Sequence, residues 1–141
     1  MRPVHESMMR RRVEQARVGR LATITSAGDP HIVPVCFAVD VDRIVTAVDD
    51  KPKTTTALRR LDNVRAHGRA SLLVDFWSED WTALWWIRVD GSARVLDDGA
   101  DLDAAIGTLE RKYRDQYGIH PPKGPAILIH AERWRGWSAG S

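Results

Sequence analysis

Three strand-like runs lie almost end to end near the start of the chain: Arg20 to Thr25, His31 to Val39 and Arg43 to Val48. Each is rich in branched apolar residues. The joints between them are short turns, Ser26-Ala27-Gly28-Asp29-Pro30 and Asp40-Val41-Asp42. This spacing constrains the fold more than any other feature of the sequence. Parallel neighbours need long crossovers, so runs this close pair antiparallel, as a meander. Glycine, proline and aspartate supply the turn chemistry.

Further strand runs follow at Ala70 to Phe76, Thr82 to Val95 and Pro125 to Ala131, the second expected to bend near Gly91. Three helical stretches interrupt them. Ser7 to Arg17 puts Met9, Val13 and Ala16 on one face, with Ser7 placed as the cap and Arg10-Arg11-Arg12 on a solvated face beside Glu14. Thr54-Thr55-Thr56 caps a second helix carrying Leu58 and Leu61. Asp101 starts a third, with Leu102, Ile106, Leu109 and Tyr113 along one stripe. Tyr117 to Gly124, with its two prolines, reads as loop. Six antiparallel strands in one small unit point to a barrel, because closure removes exposed edges. The fold expected is therefore mainly β: a six-stranded antiparallel barrel with about three short helices, residues 1–141 forming a single domain.

Composition narrows the function. The formal net charge is only +2, although arginines number 17 of the 21 basic residues, so no nucleic-acid partner is expected. The longest apolar run, Ile32 to Val39, is too short to span a bilayer and contains Pro34, so no membrane partner is expected. Met1 to Glu6 has no apolar leader-like stretch, and Cys36 is the single cysteine; both favour a cytoplasmic setting. Cys36 lies inside an apolar run and reads as a small buried hydrophobe. The glycine-rich phosphate signatures, the zinc-protease helix motif and the serine-nucleophile elbow are all missing from the sequence. His5, His31, His67, His120 and His130 are scattered, so no metal site is expected. An enzyme of this composition would draw its reactivity from a bound cofactor.

Two segments carry ligand chemistry. Lys51-Pro52-Lys53-Thr54-Thr55-Thr56 holds two of the four lysines directly before a helix start. Backbone N–H groups, ammonium charge and hydroxyl donors there suit a phosphate. A solvated basic loop with a threonine cap fits the same residues. The second segment is the tryptophan group: Trp77, Trp81, Trp85 and Trp86, with Trp134 and Trp137 further on. Trp85 and Trp86 are adjacent, so on a strand they face opposite sides. Core packing accounts for some of these indoles, and a subunit interface or planar-ligand wall for the rest.

Taken in order, the chain resembles a known family. The residues that carry the resemblance are Gly19-Arg20-Leu21-Ala22-Thr23-Ile24, His31-Ile32-Val33-Pro34-Val35-Cys36-Phe37, Thr46-Ala47-Val48, Lys51-Pro52-Lys53-Thr54 and Leu58-Arg59-Arg60-Leu61 with Asn63-Val64. They resemble the pyridoxamine 5′-phosphate oxidase-like family of split β-barrel flavoproteins, and most of all its branch of F420-dependent oxidoreductases. Val74 to Trp77, Asp80-Trp81, Leu84 to Ala93 and the ending Trp134-Arg135-Gly136-Trp137 resemble one subgroup of that branch. The resemblance spans residues 8–138. It implies a homodimer of FMN-binding split barrels, with cofactor sites in grooves between subunits. Val33, Pro34 and Val35 would run along the ring of a deazaflavin or flavin, and Thr46, Lys51, Lys53 and Thr54 would hold its phosphate. Trp85 and Trp86 would wall the cofactor or the subunit contact. Arg88, with Arg20, Arg43, Arg65 and Arg94, is a candidate for the anionic tail of coenzyme F420. Relatives often carry an asparagine soon after the Lys-Thr pair, where this chain has Thr56-Ala57. The arginine-containing substrate motif of the pyridoxamine phosphate oxidases is missing, so that activity is not expected. The function implied is hydride transfer between coenzyme F420 and a small organic substrate, with no catalytic side chain assigned. The alternatives are an FMN-dependent oxidoreductase on the same fold and a non-catalytic flavin- or deazaflavin-binding protein.

Overall fold

A computed structural model describes residues 2–48 and 55–140. The elements are β1 (Arg2–Pro3), α1 (Glu6–Gln15), β2 (Gly19–Ile24), β3 (Pro30–Val35), β4 (Ala38–Asp40), β5 (Arg43–Ala47), α2 (Thr55–His67), β6 (Arg69–Phe76), a 3-10 turn (Trp81–Ala83), β7 (Trp85–Leu96), α3 (Gly99–Lys112), α4 (Arg114–Tyr117) and β8 (Ala126–Ser138). All the strand pairings described are antiparallel, as the short joints require. The strands form one curled sheet in the order β3-β2-β6-β7-β8-β5-β4, with β1 added against β8. The result is a split half-barrel, mainly β, with three longer helices and one short one. None of the described helices is long and apolar enough to cross a membrane.

Two strands differ from the sequence reading. The apolar run His31 to Val39 is not one strand. The chain leaves β3 after Val35, bends at Cys36–Phe37 and resumes as β4, at the opposite end of the sheet order. The bend is set by Phe37: its side chain is fully buried, and its amide donates to the Tyr113 hydroxyl rather than to a neighbouring strand. Cys36 at this corner is exposed, not the buried hydrophobe that the run of apolar neighbours predicts. The last strand continues to Ser138 instead of stopping at Ala131, because residues 133–138 pair with Trp85 to Asp90 of β7. The β7–β8 register shifts between Asp90 and Gly91, where a bend is expected. A Cβ on Gly91 would run into the His130 carbonyl, so glycine lets the two strands approach here.

Strand alternation builds the core. Leu21 on β2, Leu72 and Val74 on β6, Ile87 and Val89 on β7, and Ile127 and Ile129 on β8 point inward with Met9, Val13 and Phe37. A second cluster joins Leu102, Ala105 and Leu109 of α3 and Tyr113 at its C-terminal cap to Ala38, Val45, Leu96 and Leu128. Fully burying such a side chain contributes about 1.5–3 kcal/mol. α1 starts at Glu6 with His5 at the cap position and no side-chain cap bond, so Ser7 lies inside the first turn. Its arginines do more than face solvent. The Arg10 guanidinium lies 4.7 Å over Trp134 and that of Arg12 4.9 Å over Trp85, leaving Arg11 as the exposed member of the three.

Candidate functional site

The same alternation that fills the core fixes what stands on the outer face of the sheet. Register places Pro34, Arg20, Leu73, Arg88 and Arg135 in one row across five strands, and Ile32, Ala22, Ser71, Asp90 and Arg133 in the next. A cavity of about 520 Å³ opens on this face, lined by Arg20, Ala22, Ile32, Ser71, Leu73, Asp75, Trp86 and Arg88. A neighbouring cavity of about 560 Å³ shares Ala22, Ser71 and Arg88 and adds Arg69, Asp90, Glu132 and Arg133. An apolar floor with arginines at its sides suits a flat ligand that carries negative charge.

The polar groups of the face are organised around Asp90. The Ser71 hydroxyl donates to its Oδ1 at 2.7 Å, and Arg88 Nε donates to the same oxygen at 2.9 Å. Burial pushes this carboxyl up, but those two hydrogen bonds and the charges of Arg88 and Arg133 outweigh it, and it sits below the usual carboxylate range. Arg20 pairs with Asp75 at 3.2 Å, and Arg69 with Glu132 at 2.9 Å.

The sequence-predicted residues divide between places. Trp86 and Arg88 line the outer cavity together with Arg20. Trp85 belongs to the other side of β7, beneath Arg12 and stacked 6.4 Å from Phe76. Pro34 is exposed in the outer row beside Arg20, Val33 is half-buried and packed against the core, and Val35 is buried. Thr46 is buried on β5, and its hydroxyl donates to the Cys36 carbonyl at 2.7 Å. That bond brings the end of β3 and the end of β5 to one corner, although they are far apart in the sheet order. Lys51, Lys53 and Thr54 lie outside the described residues, between β5 and α2. Of the arginines considered for an anionic tail, Arg20 and Arg88 share the outer row. Arg65 is paired with Asp97 at 2.7 Å, Arg94 with Asp101 at 2.8 Å, and Arg43 lies in β5 opposite His130.

Several residues that shape this region are not evident from sequence. The Tyr113 hydroxyl accepts from the Phe37 amide at 3.1 Å and lies 3.0 Å from the carbonyls of Arg17 and Phe37. Lys112 donates to the Ala16 carbonyl at 2.6 Å, with its ammonium 4.0 Å over the Phe37 ring. Helical spacing puts Tyr113 on the buried face of α3, but no local pattern shows which distant carbonyls its hydroxyl meets. The Ser71–Asp90 bond is hidden for the same reason: the two residues are 19 apart in the chain. Among the described residues no three His, Cys, Asp or Glu side chains come together as metal ligands.

A curled antiparallel sheet split between β3 and β4, with its polar face turned outward, defines a class of small split-barrel proteins. The sequence profile of the pyridoxamine 5′-phosphate oxidase family matches residues 6–138, and the chain belongs to that family. Similar folds occur among solved structures. A conserved hypothetical protein of Mycobacterium tuberculosis superposes with a TM-score of 0.76 at 22% identity, over 96% of this chain and 86% of that one. A FAD-binding protein of Mesorhizobium loti gives 0.70 at 23% identity, over 96% and 95%. A heme binding protein of Mycobacterium smegmatis gives 0.74 at 24% identity, over 99% of this chain and 56% of that one. No curated protein matches the chain by sequence.

Proposed function

We propose that the protein is an oxidoreductase that binds coenzyme F420 along β3, in a groove between two copies of the chain, and exchanges hydride with a small organic substrate. The observation that carries this reading is the open edge of β3. The strand stands at the end of the sheet order and among the described residues pairs only with β2, so its other side offers backbone groups to a ligand. The FAD-binding neighbour favours a flavin-type ligand on this fold.

Each residue then has a task. Val33, Pro34 and Val35 form the edge against which the ring is oriented. Lys51 and Lys53 act as point charges on the phosphate, aided by Thr54 and by the free N–H groups at the start of α2. Thr46 works through its bond to Cys36, which holds the corner between β3 and β5 in place. Pro34 shares its row with Arg20 and Arg88, which gives cations for the anionic tail that distinguishes coenzyme F420 from FMN. Trp86 walls the cavity and excludes water beside Arg88. The cofactor, when bound, supplies the hydride chemistry, and the protein supplies position and a dry wall.

A second reading keeps the same edge and replaces coenzyme F420 with FMN; the FAD-binding neighbour favours it equally. The heme-binding neighbour favours a third, a carrier without catalysis. Turnover separates them. Reduced coenzyme F420 mixed with a quinone acceptor should be oxidised faster in proportion to added protein. Acceleration with reduced FMN alone selects the second reading, and binding without acceleration selects the third.

A further inference from the structure

Arg20, Arg69 and Arg88 line the outer cavities, and each is paired with an acid. The three pairs are not closed to the same degree. Arg88 Nε donates to Asp90 Oδ1 at 2.9 Å, the Ser71 hydroxyl donates to the same oxygen, and Arg133 adds its charge. The Asp90 side chain is only 19% exposed. Taking Arg88 from it would leave a largely buried carboxylate short of a donor, which is costly. Arg69 Nη1 meets both carboxylate oxygens of Glu132 at 2.9 Å and lines only the second cavity.

Arg20 is held differently. Its Nη1 reaches Asp75 Oδ1 at 3.2 Å, the longest of the three pairs. The two side chains are 43% and 45% exposed. Among the described residues neither makes another side-chain hydrogen bond or ion pair. An exposed pair joined by one contact contributes little, and water competes for both partners. Asp75 lies opposite Trp86 across β6 and β7 and lines the same cavity as Arg20, so its charge stands where a ligand anion enters. A ligand carboxylate that takes its place can engage the guanidinium as a fork.

We propose that Asp75 sets the specificity of this cavity as a built-in competitor for Arg20, a counter-ion that a ligand carboxylate must displace. The proposal rests on the coenzyme F420 reading and divides the work of its two arginines. Arg20 takes a carboxylate of the anionic tail. Arg88 stays with Asp90 and shapes the wall beside Trp86. A ligand without a tail leaves the Arg20–Asp75 pair closed and gains nothing from it.

Fluorescence titration with coenzyme F420 and with FMN tests it on wild type, Asp75→Asn, Asp90→Asn and Asp75→Asn combined with Arg20→Met. The two aspartate variants remove the same charge from the same face, so net charge alone predicts an equal gain from both. The proposal predicts a difference. Asp75→Asn should bind coenzyme F420 roughly fivefold more tightly than wild type. That gain should fade in high salt, and FMN affinity should not follow it. Asp90→Asn should show no gain, because Arg88 and Ser71 lose the acceptor that fixes them. The combined variant should lose the gain of Asp75→Asn. Circular dichroism melts check folding; if Asp90→Asn is not folded, Asp75→Asn against the combined variant decides alone. An equal gain from both aspartate variants, a gain that survives without Arg20, an equal gain for FMN, or no gain in Asp75→Asn overturns the proposal and leaves the cofactor reading intact. A wild type that does not bind coenzyme F420 overturns that reading, and this proposal with it.

Discussion

The Tyr113 hydroxyl accepts a hydrogen bond from the Phe37 amide at 3.1 Å, joining residues 76 positions apart in the chain. The bond anchors the corner at which β3 becomes β4, and the neighbouring Cys36 carbonyl accepts from Thr46 at the same corner. Tyr113→Phe leaves a buried amide without an acceptor, which costs about 1–3 kcal/mol. Urea unfolding should show a lower midpoint with an unchanged slope. A midpoint equal to wild type would mean that the corner is held by packing alone.

Lys112 adds a pH dependence to the same region. Burial first, and then the charge of Arg17, lowers its pKa from 10.5 to about 8, with Cys36 and Glu14 pulling weakly the other way. Between those two values the unfolded chain holds a proton that the folded chain has released, so this residue makes stability rise with pH. Burial raises the Tyr113 pKa above 10.0, which acts in the opposite direction at higher pH. The window to read is therefore pH 8 to just below 10. The stability of wild type relative to Lys112→Met should increase across it. A difference that stays flat, or falls, contradicts the buried-ammonium account.

Two glycines should respond differently to alanine. At Gly91 the added Cβ meets the His130 backbone, which cannot give way without breaking the β7–β8 register. Gly91→Ala should lose its cooperative thermal transition. Gly28 has φ +91 and open space around it, so Gly28→Ala carries only backbone strain, about 1–2 kcal/mol. It should fold and melt a few degrees lower. Equal effects at the two sites would refute the close approach at Gly91.

The antiparallel sense of the pairings and three of the helices were legible because each rests on a local pattern, whereas the expected meander of the first three runs does not form: β3 and β5 stand near opposite ends of the sheet order. Alternation in residues 20–25 and 70–76, and the stripe from Leu102 to Tyr113, act through neighbours in sequence. The corner at Cys36–Phe37 was not legible. Its apolar run reads as one strand, and what breaks it is the Tyr113 hydroxyl arriving from the end of α3. The extension of β8 to Ser138 was hidden because Glu132 to Trp137 mixes arginine and tryptophan without a clean alternation. Of the expected site residues, Trp86 and Arg88 do share a cavity with Arg20, since residues two apart on a strand face the same way. Trp85 faces away by the same rule. The stacking of Arg10 and Arg12 on indoles far along the chain had no sequence signal, and an arginine run beside acids reads as a solvated face.

The phosphate contacts should be visible in affinity and not in folding. Removing a charge-assisted hydrogen bond to phosphate costs about 1.5–3 kcal/mol. Lys51→Ala and Lys53→Ala should therefore weaken cofactor binding roughly tenfold to hundredfold. Lys→Arg at either position should keep part of it, because the lysine acts as a point charge. Thermal melts without cofactor should match wild type. Unchanged affinity in both alanine variants would make the segment an ordinary solvated turn.

The central claim is that this split barrel takes coenzyme F420 in preference to FMN. Fluorescence titration of the wild-type protein with each cofactor, under identical conditions, measures it directly. The account predicts saturable binding of coenzyme F420 at one equivalent per chain, tighter than that of FMN. Saturation by FMN with no response to coenzyme F420 would contradict the cofactor assignment, and no response to either would contradict the site.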